Sequence, residues 1–112
     1  MSLPALLRDN LSIPVVGAPL FIVSNPDLVI EQCKAGVVGS FPALNARPKE
    51  LLEEWLKRIT GELGDYKAKH PEKKVAPFAV NQIVHSSNDR LQHDVDMCEK
   101  YKVPIQITSL RA

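Results

Sequence analysis

Three apolar runs, each closing on small or neutral polar residues, constrain what this chain can fold into: Val15-Val16-Gly17-Ala18-Pro19-Leu20, Val37-Val38-Gly39-Ser40-Phe41-Pro42-Ala43-Leu44-Asn45 and Ala79-Val80-Asn81-Gln82. Each is too short to be a helix of its own, and amphipathic helical sequence lies between them, so they read as buried strands joined by crossover helices. That alternation is the rhythm of a parallel βα barrel. A complete barrel takes about 250 residues, so 112 residues correspond to roughly half of one. The expected fold is therefore α/β, parallel βα repeats forming the N-terminal half of a TIM (β/α)8 barrel, as a single partial domain over residues 1–112.

Residues 3–9 read as a short helix and residues 13–18 as the first strand. Asn25 is placed to cap the next helix, with Pro26 in its first turn, where a missing N–H costs nothing. Leu28, Val29, Gln32 and Cys33 recur at helical spacing, and Gly36 is placed to end that helix in a left-handed conformation. A second strand over residues 37–41 follows, and Arg47-Pro48 opens a long helix. Its apolar face is Leu51, Leu52, Trp55, Leu56 and Ile59, opposite Glu50, Glu53, Glu54, Lys57 and Arg58, which makes Trp55 a core residue. A third strand is expected over residues 75–80. A helix capped by Ser87 or Asn88 then runs to about Tyr101 with Leu91, Val95 and Cys98 inward, and a fourth strand covers residues 103–108.

The 14 Lys and Arg against 13 Asp and Glu leave a formal net charge of +1, which makes no electrostatic case for nucleic acid or an anionic membrane. The basic stretch Lys67 to Lys74 is interrupted by Glu72 and preceded by Glu62 and Asp65, and reads as a solvated helix end and loop. No apolar segment approaches the roughly 20 residues of a membrane span, and the first residues lack a signal-peptide pattern. A cytoplasmic protein with a small-molecule or protein partner is expected. Cys33 and Cys98 fall inside predicted helices without metal-ligand spacing, as buried thiols do.

In a barrel of this kind, ligands bind at the carboxyl ends of the strands. Here those ends carry Gly17-Ala18-Pro19-Leu20, Gly39-Ser40-Phe41, Asn81-Gln82 and Thr108-Ser109. Gly and Ala let a flat ligand approach the backbone, and Asn, Gln, Ser and Thr offer neutral hydrogen bonds. The set suits a large neutral ring with an acceptor-rich edge, and it lacks the acidic or thiol cluster of a metal site. Gly17, Gly36 and Gly39 serve turns and helix packing equally well. An Asx turn accounts for Asn81 as readily as a ligand does. His85 lies four residues beyond Asn81, with no Ser, Cys or acid placed by sequence to form a relay with it.

The same residues resemble the nitronate monooxygenases, also called 2-nitropropane dioxygenases, which are FMN-dependent barrels. The resemblance rests on Pro14-Val15-Val16-Gly17-Ala18-Pro19-Leu20, Ser24-Asn25-Pro26-Asp27-Leu28-Val29, Gly36-Val37-Val38-Gly39-Ser40-Phe41-Pro42-Ala43-Leu44-Asn45, Pro77-Phe78-Ala79-Val80-Asn81 and Ile107-Thr108-Ser109-Leu110. These stretches span nearly the whole chain in the family's order. The resemblance implies oxidation of an alkyl nitronate by FMN and O₂. It also implies that the Ala18, Pro19 and Leu20 backbone lies against the flavin ring, that Asn81 hydrogen-bonds to the ring, and that Gly39, Ser40 and Thr108 line the walls nearby. The chain departs from the family where Arg111 stands after Leu110 in place of a glycine. The family's later strands, which bring the phosphate site and a histidine, have no counterpart, and His85 does not match that histidine. An incomplete, inactive fragment with weak or absent FMN binding is expected, and its two open sheet edges imply a homo-oligomer. Two other readings are a non-catalytic half-barrel module that self-associates and a piece of another FMN barrel, such as an enoyl reductase.

Overall fold

Helix ends and close backbone approaches account for where the elements start and stop. The structure is a computed structural model that describes residues 3–110, so the Arg111 departure lies outside the described residues. A short helix α1 (Ala5–Arg8) precedes α2 (Pro26–Lys34). Asn25 caps α2 through its side-chain oxygen, which accepts the Leu28 N–H at 3.0 Å, and Pro26 occupies the first turn. Asp27 in the first turn and Lys34 in the last complement the helix dipole. At the far end Gly36 has φ 86°, and a Cβ there would run into the Ser12 side chain, so both the conformation and the space demand glycine.

The chain then lays down β1 (Ser40–Pro42), a 3₁₀ turn over Ala43–Asn45, α3 (Leu51–Lys69), β2 (Ala79–Ile83), α4 (Leu91–Lys100) and β3 (Ile105–Ser109). The sheet order is β1-β2-β3 and both pairings are parallel, with Phe41 opposite Val80 and Asn81 opposite Ile107. The architecture is therefore α/β with a parallel sheet. Parallel neighbours in chain order, joined by right-handed crossovers, put their helices on one face. The contacts agree, since α2 packs on α3, α3 on α4, and α4 on β2. Between the layers lie Val29, Phe41, Leu52, Leu56, Ile59, Val80 and Cys98, all buried. Burying each of the larger side chains contributes about 1.5–3 kcal/mol. Trp55 is partly buried against this core, its ring edge-on to Phe41 with centroids 5.5 Å apart.

Several boundaries differ from the sequence expectation, each for a backbone reason. Residues 13–18 do not form a strand but a single parallel bridge, Val16 to Val38. Pro14 and Pro19 have no N–H to give a ladder, and the Val15 N–H turns back to the Ile13 carbonyl at 2.8 Å. The second strand begins at Ser40 rather than at residue 37. The third covers Ala79–Ile83 rather than residues 75–80, because Pro77 lacks an N–H and the Ala76 N–H goes to the Cys33 carbonyl at 2.9 Å. Helix α3 starts three residues beyond Pro48, after a turn in which the Leu51 and Leu52 N–H groups bond to the Pro48 and Lys49 carbonyls. Neither Ser87 nor Asn88 caps α4. Asn88 instead closes its own turn, accepting the Arg90 N–H at 3.2 Å and donating to the Ile83 carbonyl at 2.9 Å.

The inward face of α4 also differs, since Leu91 and Val95 are only half-buried and the buried residues are Asp94 and Cys98. Asp94 is buried because it is paired. Its carboxylate accepts from Arg90 Nε at 2.9 Å and from a second guanidinium nitrogen at 3.1 Å, and His93 Nδ1 lies 2.8 Å away. The rest of the Arg90 guanidinium donates to the Ala46 and Ala43 carbonyls at 2.7 and 3.2 Å, which ties the start of α4 to the turn after β1. On the surface, Lys100 and the Tyr101 hydroxyl both donate to Glu53, and these bonds hold its carboxyl down at about 2. Cys33 and Cys98 are free and buried, and burial pushes both thiols up to about 11, which makes them poor nucleophiles.

Removing Asp94 leaves a largely buried guanidinium without its counter-charge. Asp94→Ala is expected to lower stability by about 3 kcal/mol in chemical denaturation, far more than a surface ion pair would. Gly61 stands inside α3 with nothing within 4 Å of where a Cβ would lie. Gly61→Ala is therefore expected to raise stability by about 1 kcal/mol in the same measurement, through helix propensity alone.

Candidate functional site

Side chains alternate across a strand, so the register sorts the expected site residues onto two faces. Phe41 touches Trp55 of α3 and Gln82 reaches Cys98 of α4, so Gly39, Phe41, Val80, Gln82, Gln106 and Thr108 belong to the helix-covered face. Ser40, Ala79, Asn81, Ile105, Ile107 and Ser109 belong to the other face. Ser40 and Asn81 are thereby brought together on neighbouring strands, whereas Gly39 and Thr108 are not with them. Gly39 has a packing reason to be glycine, because a Cβ there would lie 2.5 Å from the Val29 carbonyl oxygen of α2. Thr108 is exposed on the helix side of the edge strand.

Asn81 is the most informative residue of the second face. It sits within β2 rather than in the loop after it, and it is 8% exposed. Its Nδ2 donates across the ladder to the Ile107 carbonyl at 2.9 Å and to Ser109 Oγ at 3.2 Å, so it makes no Asx turn with its own backbone. A carbonyl can only accept, and this fixes which end of the amide points at Ile107. Among the described residues, the Asn81 Oδ1 accepts no hydrogen bond, and it stays available to a donor arriving on that face. Ser109, the partner of Asn81, was not singled out by sequence. Only the pairing register reveals it.

Ser40 is fully buried, and its hydroxyl donates to the Gly17 carbonyl, stitching the first segment to β1. Beyond Gly17, the backbone of Ala18, Pro19 and Leu20 leaves the sheet as a loop with Ala18 and Leu20 exposed and Pro19 half-buried. Two residues hold this loop. Ser24 Oγ accepts the Leu20 N–H at 2.8 Å, and Asn45 grips it three ways: its Oδ1 accepts the Ile22 N–H at 2.9 Å and its Nδ2 donates to the Leu20 and Ser24 carbonyls at 3.0 and 2.8 Å. The grip holds Ile22 at φ 68°, a strained conformation for a β-branched residue. Asn45 is thus a second residue whose role the sequence did not disclose, since its partners lie more than twenty positions away.

His85 is exposed. Its Nδ1 accepts the Ser87 N–H at 3.1 Å and lies 2.8 Å from Ser87 Oγ, which makes it a turn residue. A groove of about 350 Å³ lies at the opposite end of the sheet. It is lined by Leu6, Leu63, Phe78 and Pro104 with Lys67 and Lys102 among its polar residues. Lys67 Nζ is already engaged by the Pro71 and Lys73 carbonyls, and nothing in the groove pairs a nucleophile with a base. Among the described residues no three His, Cys, Asp or Glu side chains converge, and no helix is long and apolar enough to cross a membrane.

Because Asn81 bridges two strands, Asn81→Ala is expected to lower the folding free energy by about 1 kcal/mol, read from the denaturation midpoint, while leaving the far-ultraviolet circular dichroism unchanged. Compared with known proteins, the chain matches no family model, no curated protein and no solved structure.

Proposed function

We propose that the chain is half of a (β/α)8 barrel that binds FMN in the manner of the nitronate monooxygenases, an oxidoreductase fold that acts on alkyl nitronates with O₂. The observation that carries this reading is Asn81, buried on the helix-free face with its Oδ1 unbonded, sharing that face with Ser40 of β1 and hydrogen-bonded to Ser109 of β3. A strand-borne amide with an unused acceptor suits the N–H edge of a flat heterocycle. The order of the resemblance stretches along the chain supports the choice of flavin over other rings.

FMN, when bound, supplies the ring that takes electrons from the nitronate and passes them to O₂. The chain's own part is to bind and orient that ring. Asn81 accepts a ring N–H, and the Ala18–Leu20 backbone, clamped by Asn45, presents one wall. Two of the residues first expected there, Gly39 and Thr108, face the helices and take no part. Among the described residues the phosphate is poorly served. Arg90, the cation between β2 and α4, is fully engaged by Asp94 and two carbonyls, and barrels of this kind take their phosphate contacts from later loops. Each charge-assisted contact to a phosphate contributes about 1.5–3 kcal/mol.

Fluorescence titration with FMN is expected to show saturable but weak binding, with a dissociation constant above micromolar, and Asn81→Ala is expected to weaken it about fivefold. No saturable binding at millimolar FMN removes the reading. Submicromolar affinity removes the argument about the phosphate.

A further inference from the structure

Asn81 spends both of its amide protons inside the protein. One goes to the Ile107 carbonyl at 2.9 Å and the other to Ser109 Oγ at 3.2 Å, so the amide keeps only its oxygen for anything that arrives on the helix-free face. An amide nitrogen can only donate, which makes Ser109 Oγ the acceptor of that bond and leaves its own proton to point elsewhere. Among the described residues that proton meets no acceptor. The face therefore carries a couple, an acceptor at Asn81 Oδ1 beside a donor at Ser109 Oγ.

Strand register keeps the two together. Asn81 is paired with Ile107 and Ile83 with Ser109, so these four side chains occupy one face of neighbouring strands. The couple depends on β2 and β3 alone, since both hydrogen bonds lie between them. Asn81 is 8% exposed, and Ile83, Ile107 and Ser109 are half-buried. The polar pair is thus reachable yet bordered by isoleucine, where a hydrogen bond is stronger than at a bare surface. A hydroxyl that accepts a bond is also polarised into a better donor.

Complementarity to this couple is restrictive. A carboxylate or phosphate oxygen meets the Asn81 oxygen lone pair to lone pair, and an amino group satisfies Asn81 but gives the hydroxyl nothing to donate to. A flat ring with an N–H directly beside a C=O satisfies both at once. We propose that Asn81 and Ser109 together read the imide edge of a ring, Asn81 Oδ1 accepting its N–H and Ser109 Oγ donating to the carbonyl next to it. On the flavin reading, on which this inference rests, that edge is the N3–H of the isoalloxazine with one of the two carbonyls that flank it. Ser109 is then a binding residue in its own right as well as a support for Asn81, and the site selects imides from among flat rings.

FMN and its N3-methyl derivative, titrated by fluorescence against the full chain, test the proposal. The wild type is expected to bind N3-methyl-FMN about tenfold more weakly, because the methyl group removes the donor and leaves Asn81 Oδ1 unpaired. In Asn81→Ala the two flavins are expected to bind alike. Ser109→Val is expected to weaken both about fivefold while the tenfold preference persists, since the Ile107 carbonyl still orients Asn81, and Ser109→Thr is expected to restore wild-type binding. Thermal unfolding checks that each variant is folded, with Ser109→Ala read in the same way if Ser109→Val is not. Equal binding of the two flavins by the wild type overturns the proposal and leaves the flavin reading standing. So does wild-type affinity in Ser109→Val, or a Ser109→Thr that binds no better than Ser109→Val. Loss of the preference in Ser109→Val overturns the donor role, because Ser109 then acts only through Asn81. No saturable FMN binding at millimolar concentration removes the flavin reading and this proposal with it.

Discussion

Parallel strands laid down in chain order, each joined to the next by a right-handed crossover, confine the connecting helices to one face of the sheet. Most of this molecule follows from that constraint. The core forms where α2, α3 and α4 meet the side chains of Phe41, Val80 and Gln82, and the opposite face receives Ser40, Ala79 and Asn81 instead. It also sets which polar groups are left for a ligand. Gln82 is one residue from Asn81 in sequence and just as buried, yet it points at Cys98 and Gln106 under the helices.

The helix layer is held in place by a few contacts of high specificity. Gly39 lets α2 press its backbone against the start of β1, and the Arg90–Asp94 pair ties α4 to the turn that follows β1. A pair this deeply buried is costly to desolvate, and here every remaining hydrogen-bond demand is met by backbone carbonyls and His93. The result is a fixed distance between the ends of successive βα units, on which any ligand spanning them depends.

On the far side of the sheet, precision comes from loops. Asn45 holds the segment from Leu20 to Ser24 by three hydrogen bonds and keeps Ile22 in a conformation its branched side chain resists. Strain maintained by a dedicated clamp next to a strand end is the usual signature of a segment that must hold one shape. The flavin reading uses that shape as a wall.

Local chemistry was legible in the residues themselves. Asn25-Pro26 and Gly36 mark the ends of α2, the spacing of Leu52, Leu56 and Ile59 marks the buried face of α3, and the strand runs with helices between them mark a parallel α/β sheet. These are effects of neighbouring residues on one another, which a linear pattern carries. Strand register is different, because it depends on which distant N–H meets which distant C=O, and prolines at 14, 19 and 77 shifted or shortened the expected strands. That shift moved Asn81 from a loop into a strand and gave it Ile107 and Ser109 as partners, and it sent Gly39 and Thr108 to the helix side. Whether Asp94 could face inward likewise depended on Arg90 and on carbonyls more than forty residues away. Apart from the strand expected over residues 13–18, which is only a single bridge, the elements and their order were determined by the sequence alone. Only the tertiary structure decided which polar groups share a face, because that choice is made by long-range pairing.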